Sequence, residues 1–281
     1  MVDTVALSAA AHLKIGQQER ALSLYMTCAE QGHAEAMATL ADIYALRGDH
    51  TRAIEVQLKR AATLDPAERI EVLCEVSDTL FKSIGDIESA IDICWQVLSI
   101  DSDCRKALHR LAVLYSKNEQ WRDAIKTILR MANLEQSALL RGRYLQAAGT
   151  IACEQDLHVE AVALLNKAIE SFFSDTLLST VDSTRTSVFE CFELIVATLN
   201  KHHEWRELER NYRAMICRLE PGDPEVGALW RSLGEVYRDK LGEKDAAINS
   251  YEVASSLDQS GLTNHRVLVD LYEGAGADQL D

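Results

Sequence analysis

The sequence predicts an all-α solenoid of stacked helix–turn–helix units, and three observations carry that prediction. Eight stretches of the 281 residues repeat one code of small and large apolar positions. Four of them set a glycine five residues before the small residue of a following helix: Gly16 before Ala21, Gly48 before Ala53, Gly85 before Ala90 and Gly242 before Ala247. Gly276 stands where a fifth such pair would begin. Only three prolines occur, and an interior proline is what most reliably breaks a helix.

Taken in order, the first unit places Val5, Ala9 and His12 on one helix and Ala21, Tyr25 and Cys28 on the next. The second has Met37, Leu40, Ala41 and Tyr44, then Ala53 and a terminating Asp65-Pro66. Leu73, Val76, Ser77 and Leu80 open the third, which continues through Ala90, Cys94, Val97 and Asp101. The fourth carries Leu108, Leu111, Ala112 and Tyr115, followed by Ala124, Ile128 and Met131. Two units are looser. One runs Leu145, Ala148, Gly149, Ala152, then Ala161, Leu165 and Ala168; the other runs Phe192, Ile195, Val196, Leu199, then Leu208, Tyr212 and Met215. The cleanest starts at Trp230 and adds Leu233, Gly234 and Tyr237, then Ala247, Tyr251, Ala254 and Asp258. An eighth begins with Leu268, Val269 and Tyr272. The expectation is seven hairpins and one terminal helix.

Two antiparallel helices approach closely only where their crossing carries small side chains. Larger residues three and four positions away then fill the space toward the next hairpin. One hairpin cannot bury its own apolar face, so the core forms by stacking neighbours. Steps between the second-helix alanines, from Ala53 through Ala90 and Ala124 to Ala161, are 37, 34 and 37 residues; the next step, to Leu208, is 47. The excess falls in a Ser/Thr-rich stretch, read as an irregular loop over 174–183 that joins sub-arrays 1–173 and 184–281 of a single 1–281 solenoid. Pro221-Gly222-Asp223-Pro224 is turn chemistry that ends one helix and caps another.

Composition narrows the function classes. With 47% hydrophobic and 26% charged residues, a continuous core is affordable and disorder is excluded. The formal charge of −15 speaks against general nucleic-acid binding, which rests on basic residues displacing counterions. Seven cysteines lie scattered without a CxxC pair, as in a reducing cytoplasm, and Cys28 and Cys94 fall at small packing positions. Asp3 stands where a secretory signal would need basic residues, and no apolar run reaches the roughly 18 residues of a membrane span. A soluble, cytoplasmic protein is expected.

The unit Trp230-x-x-Leu233-Gly234-x-x-Tyr237 followed by Ala247-x-x-x-Tyr251 closely resembles the tetratricopeptide repeat. Residues 28–44 (CAEQGHAEAMATLADIY) also resemble the SEL-type relatives of that family, and the units with one extra residue before Gly85 and Gly242 resemble loose arrays in large bacterial scaffolds. The resemblance implies a right-handed superhelix whose concave groove, lined by the first helix of each hairpin, binds peptides or partner helices. One subclass grips a C-terminal carboxylate through Lys and Asn on successive first helices. Here those places hold Ala38 and Asp42, Cys74 and Asp78, His109 and Val113, Arg231 and Glu235, so that mode is not expected.

Recognition is therefore sought at the outward positions of first helices. Near the N-terminal end Glu35, Ala38, Asp42, Glu71, Cys74, Asp78 and Phe81 form an acidic wall with apolar spots. Farther along stand Lys106, His109, Lys117, Arg143 and Gln146, with Arg105, Arg110 and Arg141 nearby. A groove that changes sign would orient a ligand with complementary ends; the plain alternative is solvated helix faces making weak surface pairs. Trp121 and Trp205 open second helices and are assigned to the core, whereas Trp95 is expected to be half-exposed. His202 and His203 precede Glu204, but neighbouring residues on a helix diverge, so no metal or other cofactor is expected. No phosphate-binding glycine loop, GxSxG or HExxH motif occurs, and no catalytic residue is assigned. The functional expectation is a non-enzymatic interaction scaffold for a protein or peptide. A regulatory peptide sensor and a structural spacer remain the other readings, and Leu268, Leu271 and Tyr272 offer a face for self-association.

Overall fold

The computed structural model describes residues 2–174, 182–220, 222–257 and 262–277, all helix or turn, with no strand among them. Two compact units result, Met1–Leu134 and Glu135–Asp281. The first holds four antiparallel hairpins: α1 (Val2–Lys14) with α2 (Gln18–Glu30), α3 (Ala34–Leu46) with α4 (His50–Ala61), α5 (Pro66–Thr79) with α6 (Ile87–Ile100), and α7 (Arg105–Lys117) with α8 (Trp121–Leu134). The second holds α9 (Ala138–Glu154) with α10 (His158–Phe173), α11 (Asp182–Lys201) with α12 (Trp205–Arg218), α13 (Pro224–Val236) with α14 (Lys244–Leu257), and a last helix α15 (Leu262–Ala277). The expected seven hairpins and terminal helix are therefore present, as an all-α stack within each unit.

The crossing code sits at the centre of each hairpin. Ala21, Ala90, Ala124, Ala161, Leu208 and Ala247 are 0% exposed, and Ala53 is 5% exposed. Opposite them the first helices bring residues for which there is no room to spare. A Cβ added at Gly149 would stand 2.7 Å from Leu165 Cγ, and one at Gly234 would stand 2.9 Å from the Tyr251 ring. At the third crossing Ser77 donates to the Ala90 carbonyl at 3.1 Å and lies 3.2 Å from Cys94 Sγ, so its hydroxyl is paired inside the core. Cys28 and Cys94 are both buried, at the small packing positions expected of them. Helix starts follow the capping rules: Asp49, Asp65, Asp86 and Asp223 each accept a hydrogen bond from the first turn, with Pro66 and Pro224 just inside.

Each first helix ends on a residue in the left-handed region. Gly16, Gly48, Gly85 and Gly242 do so at φ between 69° and 83°, and Glu119 (57°), Asp156 (60°) and His203 (58°) do so without being glycine. The extra residue before Gly85 and Gly242 is absorbed in two π turns, Leu80–Ile84 and Tyr237–Leu241. At the ordinary end of α3 the Asp49 amide bonds the Tyr44 carbonyl, five residues back; at the π end the Asp86 amide reaches Leu80, six back. One added residue widens the last turn instead of breaking the helix.

Some expectations need correction. Trp121 and Trp205 are half-buried rather than core, because each sits at the solvent edge where its helix begins. Lys240 Nζ lies 4.9 Å from the Trp205 ring centre, a cation–π contact that needs an open ring face. Gly276 lies within α15 and does not end it. The proposed loop over 174–183 falls mainly on residues 175–181, outside the described residues, as do Pro221 and Asp258.

Candidate functional site

In the first unit the outward positions of α3, α5 and α7 behave differently from a freely exposed charged surface. Glu35 and Asp42 on α3 are exposed, as expected. On α5 the acidic residues are already engaged by the basic ones of α7. Glu71 accepts from Lys106 Nζ at 2.5 and 2.7 Å. Asp78 accepts two parallel bonds from Arg110, Nε at 2.7 Å and Nη2 at 2.8 Å. That fork holds the Asp78 carboxyl below the usual range, against the opposing pull of partial burial, and it raises the Arg110 guanidinium in turn. The α5 part of the acidic wall and the first part of the basic patch therefore neutralise each other across neighbouring first helices instead of facing a ligand separately.

Beside the Asp78–Arg110 pair lies a recess of about 180 Å³ between the end of α5 and the middle of α7. Phe81, Val113 and Leu114 supply apolar wall, and Asp78, Lys82, His109 and Arg110 supply polar rim. Val113 is 39% exposed although it is aliphatic. Phe81 and Lys82 both belong to the π turn, so the extra residue before Gly85 shapes this recess. Lys82 Nζ stands 3.5 Å from Asp78, with 68% of its side chain exposed. Thus Asp78, Phe81 and His109, three of the residues singled out from sequence, line one recess. Lys117 is exposed at the end of α7 and does not line it.

A second recess of about 380 Å³ lies between α1 and α3 and includes Glu35, Leu7 and Thr39. A third, about 270 Å³, opens on the other side of this unit, between α2 and α4, with Met26, Val56, Arg52 and Lys59 in its lining.

The tetratricopeptide repeat family profile matches residues 107–141, which take in most of α7 and all of α8. That stretch is similar to one tetratricopeptide repeat. No curated protein matches the sequence. Among solved structures, a tetratricopeptide repeat protein from Parabacteroides merdae is 12% identical, with 96% of this chain and 98% of that chain covered and a TM-score of 0.41. The C-terminal part of a repeat-containing protein from Cytophaga hutchinsonii is 11% identical, covering 93% and 98%, with a TM-score of 0.43. MamA from residue 41 onward, from Desulfovibrio magneticus, is 20% identical, covering 62% and 97%, with a TM-score of 0.39.

In the second unit, Arg143 is exposed on α9, and Gln146 donates to Glu190 of α11 at 3.0 Å. His202 stacks on His158 with ring centres 4.1 Å apart and meets Asp156 at 3.1 Å, while His203 turns toward Trp205 at 5.1 Å. The adjacent histidines diverge as expected. Among the described residues no group of three or more His, Cys, Asp or Glu is arranged to hold a metal. On α15 Leu268 is buried and Leu271 half-buried, while the Tyr272 hydroxyl donates to Glu252. No helix among the described residues is long and apolar enough to cross a membrane.

Lys82 and Leu114 are the lining residues that sequence reasoning passed over, and Lys82 is the charged one. The signal was available: the eight-residue interval from Ser77 to Gly85, against seven from Ala41 to Gly48, marks a distorted helix end. The ion pairs could also have been anticipated, because Glu71 to Lys106 and Asp78 to Arg110 are 35 and 32 residues apart, close to one repeat.

Proposed function

We propose that this chain is a non-enzymatic interaction scaffold that takes a peptide or partner helix along the first-helix face of the Met1–Leu134 unit. The observation that carries this reading is the open recess lined by Phe81 and Val113 between successive first helices. A half-exposed aliphatic and an aromatic side chain beside forked ion pairs give an anchor pocket with a polar rim, the usual composition of a recognition site. The ion pairs hold α5 and α7 in register, so the pocket is formed before a ligand arrives.

The test is a cellulose-bound array of 12-residue peptides probed with the labelled full chain and with its Val113→Asp variant. Wild-type protein is expected to retain a subset of spots, and the variant to lose most of them while keeping its helical circular dichroism. Equal retention by the variant would remove the first-helix face from the proposal.

A further inference from the structure

The recess has a charge imbalance of its own. Its rim carries one carboxylate, Asp78, against two permanent cations, Arg110 and Lys82. Asp78 spends both oxygens on the Arg110 fork, at 2.7 and 2.8 Å. Lys82 is left at 3.5 Å with most of its side chain in water, and a lysine stem of that length swings easily toward a new anion. His109, exposed on the facing helix, makes no hydrogen bond or ion pair among the described residues and adds a further donor. One turn earlier on α7, Lys106 is matched by Glu71, so that neighbouring pair adds nothing to the surplus.

The surplus sits on a chain of net charge −15. Elsewhere such a surface repels an acidic segment, and a local cationic spot decides where that segment settles. The second π turn shows that the arrangement is not a by-product of the turn itself. There the positions of Phe81 and Lys82 are taken by Arg238 and Asp239, which bond each other at 2.6 and 2.8 Å.

We infer that the recess between α5 and α7 receives an apolar side chain of a peptide that carries a carboxylate within one or two residues of it, the side chain against Phe81 and Val113 and the carboxylate on Lys82 and His109. This rests on the reading of the first-helix face as the binding face, and it adds the chemistry of the partner: an acidic, apolar-anchored segment.

The probes are three end-blocked 11-residue peptides on an alanine–glutamine background, with Asp-Leu-Asp, Lys-Leu-Lys or Asp-Ser-Asp at the centre. Each is titrated into full-length protein labelled at Val and Leu methyls, followed by NMR. The Asp-Leu-Asp peptide is expected to shift the Val113 and Leu114 methyls. Its affinity should fall by on the order of fivefold in Lys82→Glu, as loss of one exposed charge contact of about 1 kcal/mol implies. Lys-Leu-Lys binding at Val113 as well as Asp-Leu-Asp would overturn the acidic assignment and leave the first-helix face standing. Asp-Ser-Asp binding equally well would overturn the apolar anchor. If no probe moves a methyl of α5 or α7, the inference falls; if array-selected peptides also leave those methyls unmoved, the binding-face reading falls with it.

Discussion

At the scale of single residues, the turns inside the hairpins show how one backbone requirement is met by different side chains. Seven first helices end in a left-handed residue five positions before the crossing residue of the second helix, and four of these are glycine. A glycine-based reading finds those four and misses Glu119, Asp156 and His203; Asp and His are at least enriched at positive φ, whereas Glu is not. Glu119 is the informative one, because it is exposed and its side chain makes no hydrogen bond or ion pair among the described residues to compensate. Holding a non-glycine residue there costs about 1–2 kcal/mol. Glycine would remove that cost but would lose about 0.5–1 kcal/mol through greater freedom in the unfolded chain. The balance predicts that Glu119→Gly stabilises the protein by about 0.5–1 kcal/mol, while Gly48→Ala destabilises it by about 1 kcal/mol. Urea midpoints at equal m-value measure both, and a lower midpoint for Glu119→Gly would show that the carboxylate has a role at that turn.

Helices and their crossings were the most legible level. The alanines from Ala21 to Ala161, at steps of 32 to 37 residues, are all in hairpin cores, and Leu208 and Ala247 beyond the 47-residue step are 0% exposed as well. Small residues at a crossing are readable because their absence of volume is the function: Gly234 faces the Tyr251 ring, and Ala247 lies on the facing helix with no exposed surface. The site was less legible for a physical reason. Which charges face a ligand depends on how neighbouring first helices are phased, and the intramolecular pairs Glu71–Lys106 and Asp78–Arg110 consume charges that a single helix pattern leaves outward. Tryptophans misled for the opposite reason, since an amphipathic ring at a helix start is satisfied half-buried. The crossing code predicts that Ala247→Leu costs about 1–3 kcal/mol by overpacking. Thermal denaturation checks this, and an unchanged midpoint would mean that the α13–α14 crossing has room the geometry does not show.

At the scale of the whole chain, charge governs the response to acid in two regimes with opposite tendencies. Between pH 7 and the isoelectric point near 5.0, the net charge of −15 shrinks. Self-repulsion therefore falls, and so does solubility, which should be lowest near pH 5 and recover with added charge on either side. Below that the ion pairs dominate. Asp78, Asp156, Asp223 and Asp239 have their carboxyls held below the ordinary value, chiefly by hydrogen bonds from Arg110, Lys201, Arg185 and Arg238 respectively. A carboxyl lowered in the folded state binds protons more readily when unfolded. Its stabilisation is therefore complete above the unfolded value of about 3.9 and drains away as pH falls through the folded value. Stability should be nearly flat from pH 7 to 5 and drop steeply below about pH 4. Asp223 is the strongest single contributor to expect: its side chain is 9% exposed, Arg185 forks onto it at 2.6 and 2.7 Å, and it caps α13. Asp223→Asn should lower stability at pH 7 by about 1–2 kcal/mol, less than a fully buried fork because Arg185 is 41% exposed. The variant should also lose less than wild type between pH 5 and pH 3, because the group that titrates is gone. Parallel urea titrations at pH 7, 5 and 3 decide the matter: identical acid losses in both proteins would mean that the Arg185–Asp223 fork is not what acid undoes.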